Sequence, residues 1–366
     1  MALTTEDLYE ALKTVDDPDL HKDLVTLNMV KDVRIDGEDV HLVIELTTPA
    51  CPMKDKIQAD IEQAVRDKAG ERGESLGGIE VEFTADVRKA NQKTRDEDSP
   101  LPTVKQIIAV GAGKGGVGKS TVAVNLAVGL ARLGAKAGLL DGDIYGPSMK
   151  TMLGLEDIPT AAQGNMLTPF SVHGIKAMTI GKLVDPDKAL VWRGPMAHGA
   201  FKQLATQTDW GELDYLIVDL PPGTGDVPLT LAQLLPLTGA VVVCTPQQVA
   251  QDDARRAVRM FQQLGVDVLG VVENMSYFIG DDGKEYDIFG RGGAEMMAQD
   301  MNLPYLGAIP IQMAMRENAD HGTPLENWNI SEQLSDELDG VCKNLASQVS
   351  IATMSGQYVL PTMSVS

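Results

Sequence analysis

A chain of 366 residues with 43% hydrophobic composition can bury a sizeable core and make two domains. Its net charge of −21, from 52 acidic and 31 basic residues, is dispersed along the chain, which disfavours sequence-independent binding to nucleic acid or to an anionic membrane. It has neither an uncharged apolar run of about 18 residues nor a basic segment followed by a signal-like apolar one, so the expected location is cytoplasmic.

The first 88 residues read as a small α+β domain. Met29 to Ile35 and Val40 to Leu46 alternate apolar and polar residues around Asp36-Gly37-Glu38, the pattern of a β-hairpin. Ile57, Ile61 and Val65 recur at helical spacing, and Ile79 to Phe83 alternates again as a strand. Residues 89–103 are charged, polar and broken by proline, which reads as a linker.

Residues 104–352 carry a different rhythm. Short apolar strands are expected at Gln106 to Val110, Lys136 to Leu140, Tyr215 to Val218, Ala240 to Cys244, Val268 to Val272 and Tyr305 to Ile309, with helical stretches between them. That alternation implies an α/β fold, a mostly parallel sheet with helices on both faces. Near the end, Ile330, Leu334, Leu338, Val341, Leu345 and Val349 form one apolar stripe on a helix with an acidic opposite face. Residues 353–366 read as a flexible tail.

Within this second domain, Gly113-Lys114-Gly115-Gly116-Val117-Gly118-Lys119-Ser120-Thr121 satisfies the G-x-x-x-x-G-K-[ST] pattern. Its glycines free backbone N–H groups to wrap a polyphosphate, and the helix expected from Ser120 to Leu133 turns its positive end toward the same place. Lys119 then reaches the β and γ phosphates of a nucleoside triphosphate, and the Ser120 hydroxyl ligates Mg2+. Two apolar strands end in carboxylates. Asp219 is the expected partner of magnesium and Asp143, in Asp141-Gly-Asp143, the group that orients the attacking water; strand-end capping is the alternative for each. In Leu220-Pro-Pro-Gly-Thr-Gly-Asp226 the Gly223 N–H is expected beside the γ phosphate, a contact that hydrolysis removes.

These segments, with Asp141 to Ser148, Trp192 to Met196, Thr245-Pro-Gln247 and Asn274-Met-Ser276, resemble the Mrp/ApbC family of P-loop ATPases. That family comprises iron–sulfur cluster carriers and is related to MinD, ParA and the nitrogenase iron protein. The resemblance implies slow ATP hydrolysis and a homodimer in which Lys114 crosses to the partner subunit's phosphates, Asp143 positions water and Asn274 contacts adenine. It also implies iron–sulfur apoproteins or scaffold proteins as partners. The first domain resembles the small assembly domain of iron–sulfur maturation factors through Asp17-Pro18, Leu27 to Val33 and Thr47 to Met53.

One feature of the family is missing. Its usual Cys-x-x-Cys pair, through which two subunits share a [4Fe–4S] cluster, falls where this chain reads Tyr277 to Tyr286, and an Asp-Gly hairpin turn is expected there instead. Asp281 and Asp282 are poor replacements for thiolates. The chain has three cysteines, Cys51, Cys244 and Cys342, too far apart in sequence for a local metal knuckle. Cys244 and Cys342 read as core. Cys51, before a helix with Pro52 suited to its first position, reads either as a reactive thiolate lowered by the helix end, and then as the first candidate for a cluster ligand, or as a buried structural cysteine. The alternative function is a positioning switch ATPase of the MinD or ParA kind, without a cluster. Aspartate outnumbers glutamate 33 to 19, which suits a halophilic archaeon or an ordinary acidic mesophile surface.

Overall fold

The computed structural model describes residues 3–90, 100–144, 146–164, 166–183, 194–280 and 282–355. They fall into two compact units, one up to Arg88 and one from Lys89 onward. Most of the expected linker, with Tyr145, Trp192, Arg193, Asp281 and the tail from residue 356, lies outside the described residues.

In the first unit, helix α1 (Thr5–Leu12) is followed by strands β1 (Val30–Asp36) and β2 (Asp39–Leu46), helix α2 (Lys54–Arg72) and strand β3 (Ile79–Ala85). The hairpin turns tightly, with Asp36 opposite Asp39 and Gly37 at φ 65°, which glycine adopts without strain. β3 then pairs parallel to β2 in full register, Val40 opposite Ile79 through Leu46 opposite Ala85. Val40, Leu42, Ile44 and Leu46 point to one face by the two-residue period of a strand, and Ile57, Ile61, Val65 and Ala69 line the buried side of α2.

The second unit is the α/β fold that the strand–helix rhythm implies. Strand β4 (Val104–Gly111) leads into helix α3 (Lys119–Arg132), then β5 (Ala137–Asp141), the hairpin β6 (Phe170–Val172) and β7 (Ile175–Met178), and helix α4 (Gly194–Thr206). Strand β8 (Leu213–Asp219), α5 (Asp226–Gln233), β9 (Gly239–Cys244), α6 (Gln248–Gln263) and β10 (Val268–Ile279) follow. The unit finishes with β11 (Glu285–Tyr286), α7 (Gly293–Asp300), β12 (Tyr305–Ile311), α8 (Met313–His321) and α9 (Glu332–Ser355). The last helix therefore includes residues 353–355 of the expected tail.

The sheet has nine strands in the order β6-β7-β5-β8-β4-β9-β10-β11, with β12 also on β10. All pairings are parallel except the two end hairpins, β6 with β7 and β10 with β11. β4 is central, and every side chain of β9 and nearly all of β4 is buried, as expected of strands covered on both faces. Register brings Val110, Asp141 and Asp219 side by side at the carboxyl ends of three adjacent strands, where ligands of open parallel sheets bind. Among the described residues, no helix is long and apolar enough to cross a membrane.

Candidate nucleotide site

The loop from β4 to α3 is shaped by its glycines. Gly116 and Gly118 stand at φ 82° and 78°, a region that side-chain-bearing residues seldom enter, and Gly118 is the N-cap of α3. A Cβ on Gly113 would come within 2.0 Å of the Asp253 carbonyl oxygen, so only glycine lets the loop pass α6. Gly115 and Gly116 face open space, whereas Val117 is buried and anchors the loop. Thr121 follows Ser120 in the first turn of α3, and its carbonyl accepts a hydrogen bond from Asn125.

Lys119, Ser120 and Asp219 meet under the loop. The Lys119 ammonium is 2.5 Å from Asp219 Oδ1, and the Ser120 hydroxyl donates to Oδ2 at 2.6 Å. Lys119 is 6% exposed and Asp219 not at all, so neither charge is satisfied by water. Burial raises the Asp219 pKa, and the Lys119 charge opposes that rise. Next to it, burial first and the Asp219 charge second push Asp141 up to about 7. Asp141 accepts from the Thr179 hydroxyl at 2.8 Å and from the Asp143 N–H at 3.1 Å. Asp143 itself is half-buried and accepts from the Gly146 N–H at 3.2 Å. It lines a cavity of about 560 Å3 together with Pro221, Pro222, Gly225 and Val227.

Gly223 and Asn274 both bond to the phosphate-loop segment. The Gly223 N–H, expected beside a γ phosphate, donates to the Ala112 carbonyl at 2.9 Å, because a backbone at φ 100° turns it back onto the phosphate loop. The Asn274 side chain, expected on adenine, donates from Nδ2 to the Val117 carbonyl at 2.8 Å and staples the loop to β10. Lys114 is half-buried and forms no ion pair among the described residues.

The thiols differ from expectation at one position. Helix α2 begins at Lys54 with Met53 as its cap, so Pro52 stands ahead of the helix and Cys51 further still. Burial, reinforced by the Asp17 and Asp19 carboxylates, pushes the Cys51 thiol up to about 11 despite a hydrogen bond from Met53. Of the two readings of Cys51, both features favour the buried, protonated cysteine. Cys244 and Cys342 are buried, and burial pushes Cys244 up to about 12 and raises Cys342 as well.

Ser120 Oγ and Asp219 Oδ2 are hard oxygen donors beside a phosphate loop and suit Mg2+. An iron–sulfur cluster is not suited in the same way. Cys51 lies in one unit and two protonated, buried thiols in the other, and among the described residues no three His, Cys, Asp or Glu side chains are gathered to hold a metal ion. The 276–286 segment closes by protein contacts: Phe278 pairs with Tyr286, Gly280 N–H donates to Lys284 O, and Arg291 covers the Tyr277 ring at 4.1 Å.

Sequence reading missed Thr179, which sits on a strand end remote from Asp141 in the chain, and Glu273. A lone acid closing the apolar run Val268 to Val272 was the available signal for the latter. Glu273 is fully buried and accepts hydrogen bonds from the Gly292 and Ala294 N–H groups.

Residues 103–346 match the model of the NUBPL iron-transfer P-loop NTPases, and residues 5–75 match that of iron–sulfur cluster assembly proteins. An iron–sulfur cluster carrier protein of Synechocystis is 48% identical over 96% of this chain and 99% of its own length. One from Deinococcus radiodurans is 47% identical over 95% of this chain and 96% of its own. A nucleotide-binding protein from Archaeoglobus fulgidus, solved with ADP, is 39% identical with a TM-score of 0.56 over 62% of this chain and 90% of that one. With its phosphate loop, paired strand-end carboxylates and preceding assembly domain, the chain belongs to the NUBPL iron-transfer family of P-loop NTPases.

Proposed function

We propose that this protein is an ATP-hydrolysing factor that promotes iron–sulfur cluster assembly on, or transfer to, apoproteins, and that it works as a homodimer. The observation that carries the reading is the end-to-end likeness to iron–sulfur cluster carrier proteins across both units, on a chain whose Lys119, Ser120 and Asp219 are already gathered under a phosphate loop.

The roles follow from position. Lys119 exchanges its Asp219 partner for the β and γ phosphate oxygens, cradled by the backbone from Gly113 to Gly118 and by the first turn of α3 with Ser120 and Thr121. Asp219 and the Ser120 hydroxyl would hold Mg2+, which would supply neutralisation of charge developing on the phosphates. Asp143, which lines the cavity, orients water toward the terminal phosphate. Lys114, lacking an intramolecular ion pair among the described residues, reaches the phosphates held by a second subunit. Gly223 reports on the loop through Ala112 and turns toward the γ phosphate when that bond opens; Asn274 steadies the loop beneath the base.

The cluster is cargo in this reading, and no thiolate cage within the described residues holds it. The test is recovery of activity by a [4Fe–4S] apoenzyme supplied with iron, sulfide and the full chain, with and without ATP. ATP-dependent acceleration that Lys119→Ala abolishes and Cys51→Ser leaves intact is expected. No acceleration by the wild-type chain would sink the reading and leave a positioning switch ATPase.

A further inference from the structure

Three consecutive residues of β10 grip two separate parts of the ATPase unit. The Glu273 carboxylate accepts from the Gly292 N–H at 2.9 Å, the Ala294 N–H at 2.8 Å and the Ser276 hydroxyl at 2.5 Å. Those two amides open helix α7, so the positive end of that helix faces the carboxylate, which forms no ion pair among the described residues. Side chains alternate along a strand, and Asn274 accordingly turns away from Glu273 to reach the Val117 carbonyl of the phosphate loop. Met275 then stands at φ 57°, in the left-handed region that a residue with a long side chain rarely occupies, and the pairing with β12 skips from Asn274 to Phe278. A Cβ on Gly118 would meet the Asn274 amide at 2.1 Å and the Met275 methyl at 3.6 Å, so both side chains rest on the phosphate-loop glycine.

A strained backbone persists only where its surroundings hold it, and here it is held from both ends. We infer that Glu273 is a positioning residue that couples the phosphate loop to the 286–294 segment through Met275 and Asn274. When the Gly292–Ala294 turn stays on Glu273, Met275 is kept left-handed and Asn274 on Val117, the arrangement that shapes the loop for phosphate. When that turn lets go, Met275 relaxes to extended backbone and Asn274 leaves the loop. By linkage, a nucleotide that orders Gly115 to Gly118 tightens the distant turn by the same factor. This coupling goes beyond the carrier reading and holds for the ATPase unit whatever its cargo.

Hydrogen exchange read by mass spectrometry on the full chain, with and without Mg-ADP, tests it. In the wild type, ADP is expected to slow exchange of the 286–294 amides as well as those of the phosphate loop. Glu273→Gln removes the charge while keeping the shape, and should abolish that remote protection and weaken ADP binding about tenfold. Adding Met275→Gly, which adopts a left-handed backbone at no cost, should restore most of the affinity, a rescue that a merely misfolded variant would not show. Should Glu273→Gln fail to fold, Asn274→Ala carries the test, with loss of remote protection at saturating ADP as the expected result. Remote amides indifferent to ADP in the wild type, or remote protection that survives either variant, overturns the coupling. Neither readout involves iron, so failure here and failure of cluster delivery are separate results.

Discussion

The Cys51 thiol is partly buried, faces the Asp17 and Asp19 carboxylates, and has only one backbone N–H and Lys54 to favour its ionised form. With the thiol raised to about 11, only a minute fraction is thiolate near neutrality. Because Cys244 and Cys342 are buried, alkylation of the native chain reports on Cys51. Its rate with iodoacetamide should be slow at neutral pH and rise about tenfold per pH unit toward that value; a plateau below about pH 8 would show a reactive thiolate after all. The same shift has a stability sign. A raised acid favours the fold while protonated, so this contribution is lost as pH rises through about 11. Cys51 also marks where sequence reading stops. Gly113 to Thr121 was legible because its chemistry is set by spacing along one short segment. The environment of Cys51 depends on Asp17 and Asp19, and the partners of Gly223 and Asn274 on Ala112 and Val117, pairings that only the folded chain makes. The strand-end carboxylates fall between these cases. An acid after an apolar run announced them, but their adjacency is a matter of sheet register.

Helix α1 shows the same boundary among elements. Eight residues give too few turns for a periodic signal, and the helix escaped sequence reading although Thr4 and Asp7 form a capping box. The short β6 and β7 strands escaped for a similar reason, whereas the six longer apolar strands and the Asp36-Gly37 hairpin were plain. In α1 the Asp7 carboxylate accepts from the Thr4 N–H at 3.1 Å and pairs with Arg72 at the far end of α2, so one side chain caps a helix and joins two. The Arg72 guanidinium and then the Thr4 hydroxyl hold the Asp7 pKa down to about 2. A depressed carboxylate contributes stability that is present above its unfolded value of 3.8 and lost as pH falls through about 2. Asp7→Asn should therefore lower the denaturant midpoint of the first unit at neutral pH, and the gap from wild type should narrow as the pH is taken from 3.8 to about 2. Far-ultraviolet circular dichroism during urea titration at several pH values checks this. A gap independent of pH would assign the effect to lost packing rather than to the charge.

For the molecule as a whole, an excess of acidic over basic residues that yields a net charge of −21 is an energetic fact about folding. Like charges dispersed over a compact surface repel one another more than in the expanded chain, so the fold is opposed by its own field. The ion pairs among the described residues do little to offset this, since most have at least one exposed partner, and pairs such as Lys136 with Glu212 and Arg316 with Asp320 have two. Salt shortens the range of the repulsion from about 10 Å at 0.1 M to about 3 Å at 1 M. Repulsion among many scattered charges is screened more completely than the close, buried contact of Lys119 with Asp219. Thermal unfolding in potassium chloride should accordingly shift to higher temperature between about 0.1 and 1 M, in both compact units if each unfolds on its own. Salt also strengthens apolar burial, and a variant separates the two causes. Glu82→Gln, Asp252→Asn and Asp336→Asn remove three exposed negative charges without touching the core. If repulsion is the cause, that variant melts higher than wild type at low salt and gains less from added salt. Parallel salt curves for the two proteins would assign the effect to apolar burial, and a midpoint that falls with salt would show that attractive pairs outweigh the net charge.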